Sequence, residues 1–139
     1  SLSVKPGKRQ FIPTASTIIL RDGEPYIATG GLGGCRIITA VVRTITSIID
    51  YNMDILSAQE APRVTQAGRD LGPTFVDSRI SEKTIKALKD MGDPVVPVDL
   101  EFGFGLTTGI MVKGGKGEMI HGAAERAPPY GMNGASFGY

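Results

Sequence analysis

Thr29-Gly30-Gly31-Leu32-Gly33-Gly34-Cys35-Arg36 sets four glycines between an apolar strand and a long apolar helix. Glu24-Pro25-Tyr26-Ile27-Ala28 reads as the strand. From Arg36 through Tyr51, the residues Ile37, Ile38, Val41, Val42, Ile45, Ile48 and Ile49 recur at spacings of three and four, the stripe of a buried helix. The glycines are therefore expected at the helix N-terminus. There the first N–H groups lack partners within the helix, the macrodipole favours negative charge, and residues without Cβ let a ligand approach the backbone. A phosphate, a carboxylate or an oxyanion would suit such a place.

Spacing narrows the choice of anion. A dinucleotide fingerprint counted from Gly31 and Gly33 would need a third glycine where Arg36 stands. The context differs too, because Thr17-Ile18-Ile19-Leu20, the turn Arg21-Asp22-Gly23 and the Glu24 strand read as an antiparallel hairpin, not the start of a βαβ unit. A P-loop would continue with Gly-Lys-Ser/Thr, and here Cys35-Arg36 follows the glycines.

The same residues resemble the gamma-glutamyltranspeptidase family, in the C-terminal part of its small subunit. Pro6-Gly7-Lys8-Arg9, Thr29 through Thr39, Ile49-Asp50-Tyr51 and Ala61-Pro62-Arg63 follow the family's motifs in order. Gly105-Leu106-Thr107-Thr108-Gly109-Ile110-Met111-Val112 is similar to its next-to-last strand, Gly122-Ala123 to its last turn, and Gly138-Tyr139 to its ending. The resemblance implies an α+β fold, the C-terminal portion of an N-terminal-nucleophile hydrolase αββα sandwich. It also implies a precursor that cleaves itself before a threonine, whose freed amine then serves as base for its own hydroxyl. That threonine attacks a γ-glutamyl amide, and the acyl group passes to water or to an amine. By the resemblance, Gly33 and Gly34 are the oxyanion-hole residues, donating backbone N–H groups to the tetrahedral intermediate. A donor of this kind is worth about 3 to 4 kcal/mol of transition-state stabilisation.

Two departures shape what is expected of this chain. The family's threonine lies well upstream of the Lys-Arg segment, whereas only a few residues precede Lys8 here, so residues 1–139 are expected to form a single-domain fragment without the nucleophile. Ser1 falls on the wrong side of the expected core strands to replace it. Secondly, the serine pair that binds the substrate α-carboxylate in glutamyl-specific members aligns with Ile12 and Pro13, neither of which has a side-chain donor. Thr14 is the nearest remaining hydroxyl and the candidate substrate-binding residue.

With 139 residues and 41% hydrophobic content the chain suffices for one core. Yet the 36–51 helix is apolar around most of its circumference, so a covering layer is expected from the rest of the small subunit, from the large subunit, or from self-association of the isolated chain. The formal charge of +1 is scattered, with Lys83, Lys86 and Lys89 on a solvated helix face, and nucleic acid is not an expected partner. The expected partner is a small γ-glutamyl-type substrate. No cofactor and no metal are expected, there being no ligand cluster. A single cysteine rules out an internal disulfide. The family's location, often periplasmic, secreted or outward-facing at the membrane, does not by itself locate this chain.

Further along, a short helix near 54–60, one strand, a third helix and three strands are expected. Ser81 reads as the N-cap of the third helix, Ile85 and Leu88 as its core face, and Gly92 as its C′ residue. The prolines of Pro94 to Leu100 assign that strand to a sheet edge. Gly105 to Lys113 and Glu118 to Gly122 form a final hairpin, and residues 127–139 an irregular tail. Cys35 at a helix N-terminus and the single His121 would suit thiolate chemistry, but no sequence feature pairs them, and structural roles are expected for both. Arg36 and Arg63 are expected to hold carbonyls or carboxylates between layers. Two further readings of other classes remain: a noncatalytic remnant or assembly subunit of the same fold, and an anion-binding module built on Gly30 to Gly34.

Overall fold

The computed structural model describes residues 5–9, 12, 14–66, 72–99, 104–114, 119–124 and 135–138. The first hairpin joins β1 (Thr17–Arg21) to β2 (Glu24–Leu32) through Asp22 and Gly23, both at positive φ, as a two-residue primed turn requires. Helix α1 (Arg36–Ile49) and the short α2 (Ile55–Glu60) follow. Next come β3 (Val64–Gln66), β4 (Thr74–Asp77), α3 (Glu82–Asp90) and β5 (Val95–Val98). Strands β6 (Leu106–Lys113), β7 (Met119–Ala124) and β8 (Ala135–Gly138) close the order.

Two sheets result. The larger is antiparallel, in the order β1-β2-β6-β7-β8, and the smaller runs β3-β4-β5, with β4 and β5 parallel and α3 as their crossover. Pro97 stands in β5, which among the described residues pairs only with β4, so the strand's missing donor faces no ladder. Ser81 caps α3 by accepting from the Thr84 N–H at 3.2 Å, and Gly92 at φ +91 ends it. Asp54 caps α2, accepting from the Ser57 N–H at 3.0 Å, and the hydrogen bond from the Ser57 hydroxyl, followed by that from the N–H, holds its carboxyl below the usual range.

Several sequence expectations change. Residues Gly30 and Gly31 belong to β2, paired with Thr108 and Thr107, so only Gly33 and Gly34 form the helix entry. Two strands, β3 and β4, occupy the place of one, because the three-residue β3 is too short to show a period. Helix α1 ends at Ile49, where Asn52 at φ +53 turns the chain and the Met53 N–H bonds the Ser47 carbonyl. Ile85 and Leu88 are half-buried, not core, since α3 packs on β5 of the small sheet. Within the expected irregular tail, Ala135–Gly138 is a strand that satisfies the outer edge of β7. The rest of that tail, like Ser1 and Pro13, lies outside the described residues.

The largest change concerns which surfaces are covered. Helix α1 buries Ile37, Ala40, Val41, Thr44, Ser47 and Ile48 against the large sheet. Small side chains on that face let the helix come close, so that the Thr44 and Thr107 hydroxyls meet at 3.3 Å. The other half of the predicted stripe is left out: Ile38, Val42 and Ile49 are exposed and Ile45 is half-buried. Ile27, Ile48, Ile55, Ala58, Met111 and Ala123 form the core between the two helices and the sheet. Among the described residues nothing covers the opposite sheet face, with Ile18 74% exposed and Leu20, Ile110 and Ile120 about half or more. A groove of about 640 Å³ runs along that face past Ser16, Ile18, Ala28, Gly30, Thr108 and Ile110. The described residues thus form one helix layer and one sheet layer, half of an αββα arrangement, with the small sheet alongside.

Candidate functional site

Strand β2 delivers Leu32 to an exposed turn, and α1 begins four residues later. Gly33 lies at φ +132, outside the reach of residues with a side chain, and Gly34 at φ +65. A Cβ on Gly33 would stand 2.8 Å from the Gly105 Cα, whereas one on Gly34 would meet open space. The Gly34 carbonyl accepts from the Ile37 N–H at 3.2 Å, a turn that leaves the N–H groups of Gly33 and Gly34 outside it. Both glycines are exposed at the positive end of α1. No acidic side chain occupies the first turn of that helix, and its N-cap, Cys35, makes no side-chain cap. An oxyanion or carboxylate could therefore approach the backbone here.

The turn is backed by a second strained glycine. Gly105, at φ +87, lies between Gly33 and the start of α1, and a Cβ there would come within 3.0 Å of the Arg36 carbonyl oxygen. Its own carbonyl accepts from Arg63 Nη1 at 2.5 Å. Arg63, almost wholly buried, donates its Nη2 to the Gln59 carbonyl at 2.9 Å, and Arg43 Nη2 reaches the Ala58 carbonyl at 2.6 Å and that of Gln59 at 3.2 Å. These two arginines satisfy carbonyls that the short α2 cannot bond internally. Burial, and then the charge of neighbouring arginines, pushes both guanidinium groups down to about 10, so they stay charged at neutral pH. Asp77 supplies a buried carboxylate nearby, gripped by Arg79 through Nε at 2.9 Å and Nη2 at 2.5 Å. Burial pushes the Asp77 carboxyl up, but the Arg79 hydrogen bonds and the charges of Arg79 and Arg63 outweigh it and hold it below the usual range.

Of the residues singled out from sequence, Gly33 and Gly34 meet at one turn. Thr14 is exposed and runs out from the start of β1, and because Thr17 pairs with Thr29 it heads for the same end of the sheet as Leu32. Ile12 is exposed as well. Cys35 is exposed at the helix entry, while His121 is half-buried in β7 opposite Met111, with no bond between them. Arg63 holds carbonyls, as expected. What sequence reasoning missed is its partner, Gly105, 42 residues away; the Ala61-Pro62-Arg63 motif was visible, but no local pattern points from it to that glycine.

The gamma-glutamyltranspeptidase family model matches residues 2–132. The glutathione hydrolase proenzyme of Escherichia coli is 34% identical over 123 residues, covering 88% of this chain and 20% of that protein. The acylase ACY 1 proenzyme of Pseudomonas sp. strain SE83 is 35% identical over 96 residues, which is 69% of this chain and 17% of the relative. Among solved structures, the gamma-glutamyltranspeptidase of Pseudomonas nitroreducens superposes with a TM-score of 0.73 at 25% identity, covering 94% of this chain and 65% of the other. The chain spans a fifth or less of the length of these curated relatives.

Proposed function

Because this chain belongs to the gamma-glutamyltranspeptidase family, a family of hydrolases and acyltransferases with the N-terminal-nucleophile fold, we propose that it contributes the oxyanion donors of such an enzyme. The observation that carries this reading is the exposed Gly33-Gly34 turn at the start of α1, with its N–H groups outside the turn hydrogen bond. In this proposal the nucleophile comes from another part of the parent protein, on a second sheet laid over the bare face beside the turn. The nucleophile's hydroxyl adds to the amide carbon, its proton passes to the terminal amine, and the carbonyl oxygen takes the negative charge between the two glycine N–H groups. Collapse expels the amine with that proton and leaves an ester, which water or an acceptor amine then opens.

The acyl group is where this chain departs from the glutamyl-specific pattern. Ile12 is exposed and apolar at a position where a carboxylate binder would need a donor. A relative that is an acylase proenzyme, at the same level of identity as the glutathione hydrolases, supports a wider choice of amide. The full-length parent should therefore turn over a γ-glutamyl anilide and an analogue lacking the α-carboxylate with less than about tenfold difference in kcat/KM. Charge-assisted hydrogen bonds to that carboxylate would otherwise each contribute about 1.5 to 3 kcal/mol. The 139-residue polypeptide alone should turn over neither. Activity in the short polypeptide that is lost on Ser1→Ala would overturn the proposal, and a strong preference for the carboxylate in the parent would show that other groups bind it.

A further inference from the structure

We infer that Arg63 is a positioning residue for the glycine turn, acting through the carbonyl of Gly105; the inference rests on the reading of Gly33 and Gly34 as oxyanion donors. Gly105 has no slack on either side. A single added carbon would collide with the Arg36 carbonyl on one side, and Gly33 is packed as closely on the other. Wherever the Gly105 peptide sits, the Gly33 peptide must follow.

What fixes the Gly105 peptide is a planar fork. One Arg63 nitrogen holds the Gly105 carbonyl at 2.5 Å and another holds Gln59 at 2.9 Å, so the end of α2 and the start of β6 are tied through one rigid group. The Gln59 end is anchored in turn by Arg43 from α1. The helix that carries the turn, the helix beside it and the strand behind it thereby share one hydrogen-bonded frame. A lysine at position 63 keeps the charge but offers a single ammonium on a flexible stem, which cannot hold two carbonyls in a fixed relative geometry. With the frame loosened, the donors would miss an oxyanion by a fraction of an ångström, which lowers turnover without weakening substrate binding.

The test is a double-mutant cycle in the full-length parent, with steady-state kinetics on a γ-glutamyl anilide and thermal melts to certify folding. Arg63→Lys should lower kcat by about 10- to 100-fold with KM changed less than about threefold. In a Gly33→Ala background, where the turn is already displaced, the same change should cost less than about twofold. A folded Arg63→Lys protein with wild-type kcat, or one that loses activity through KM, overturns the inference. Losses that multiply in the double variant do so too, because they assign Arg63 an effect that bypasses the turn. If Gly33→Ala alone keeps full kcat, the oxyanion reading itself fails. Should Arg63→Lys not fold, Gly105→Ala, which moves the carbonyl and leaves the arginine in place, decides by the same outcomes.

Discussion

Gly33→Ala in the full-length parent should lower turnover by about 10²- to 10³-fold on every substrate, the cost of losing an oxyanion donor. Gly34→Ala should stay within about tenfold. The two glycines are adjacent and both exposed, yet their surroundings differ. At φ +132 and 2.8 Å from the Gly105 Cα, a Gly33 Cβ forces the peptide to move. At φ +65 with open space around it, an alanine at position 34 pays only the left-handed backbone penalty of about 1 to 2 kcal/mol and keeps its N–H. Both variants are to be compared by kcat at a temperature where their melting curves show them fully folded. Equal effects of the two substitutions would contradict the assignment of strain to Gly33.

Ile110→Lys should prevent assembly of the parent or destabilise it by about 3 to 5 kcal/mol, although the same side chain is half-exposed in the described residues. The bare face, where Ile18, Leu20, Ile110 and Ile120 stand out from neighbouring strands, is the face that a second sheet must cover in an αββα sandwich. For the same reason the 139-residue polypeptide should self-associate, and Ile110→Lys should reduce that association. Light scattering on both polypeptides and melting of the parent variant decide the matter. A monomeric, cooperatively unfolding wild-type polypeptide would show that this face needs no cover.

What could be read from the sequence was local. Asp22-Gly23 between two apolar runs fixes a two-residue hairpin, and Ser81 with Gly92 brackets α3, because caps and turns draw their hydrogen bonds from residues a few positions away. The glycine turn was legible as an anion site for the same reason. Its internal division was not: whether Gly31 belongs to a strand or a turn depends on its pairing with Thr107 in β6, far away in the chain. Periodicity gave the full apolar arc of α1 but could not say which part faces the sheet. The side bearing Ala40, Thr44 and Ser47 does so, since small residues allow close approach, and the bulkier Ile38, Val42 and Ile49 are left outside. The link from Arg63 to Gly105 joins two segments by tertiary packing alone, and no spacing encodes it.

The oxyanion assignment is tested most directly by a crystal structure of the full-length parent carrying a covalent adduct of a γ-glutamyl-type inhibitor at its nucleophile. The adduct's oxygen is expected within about 2.7 to 3.1 Å of the backbone nitrogens of both Gly33 and Gly34. An oxygen held by other donors, with both glycine nitrogens beyond about 4 Å, would contradict the account.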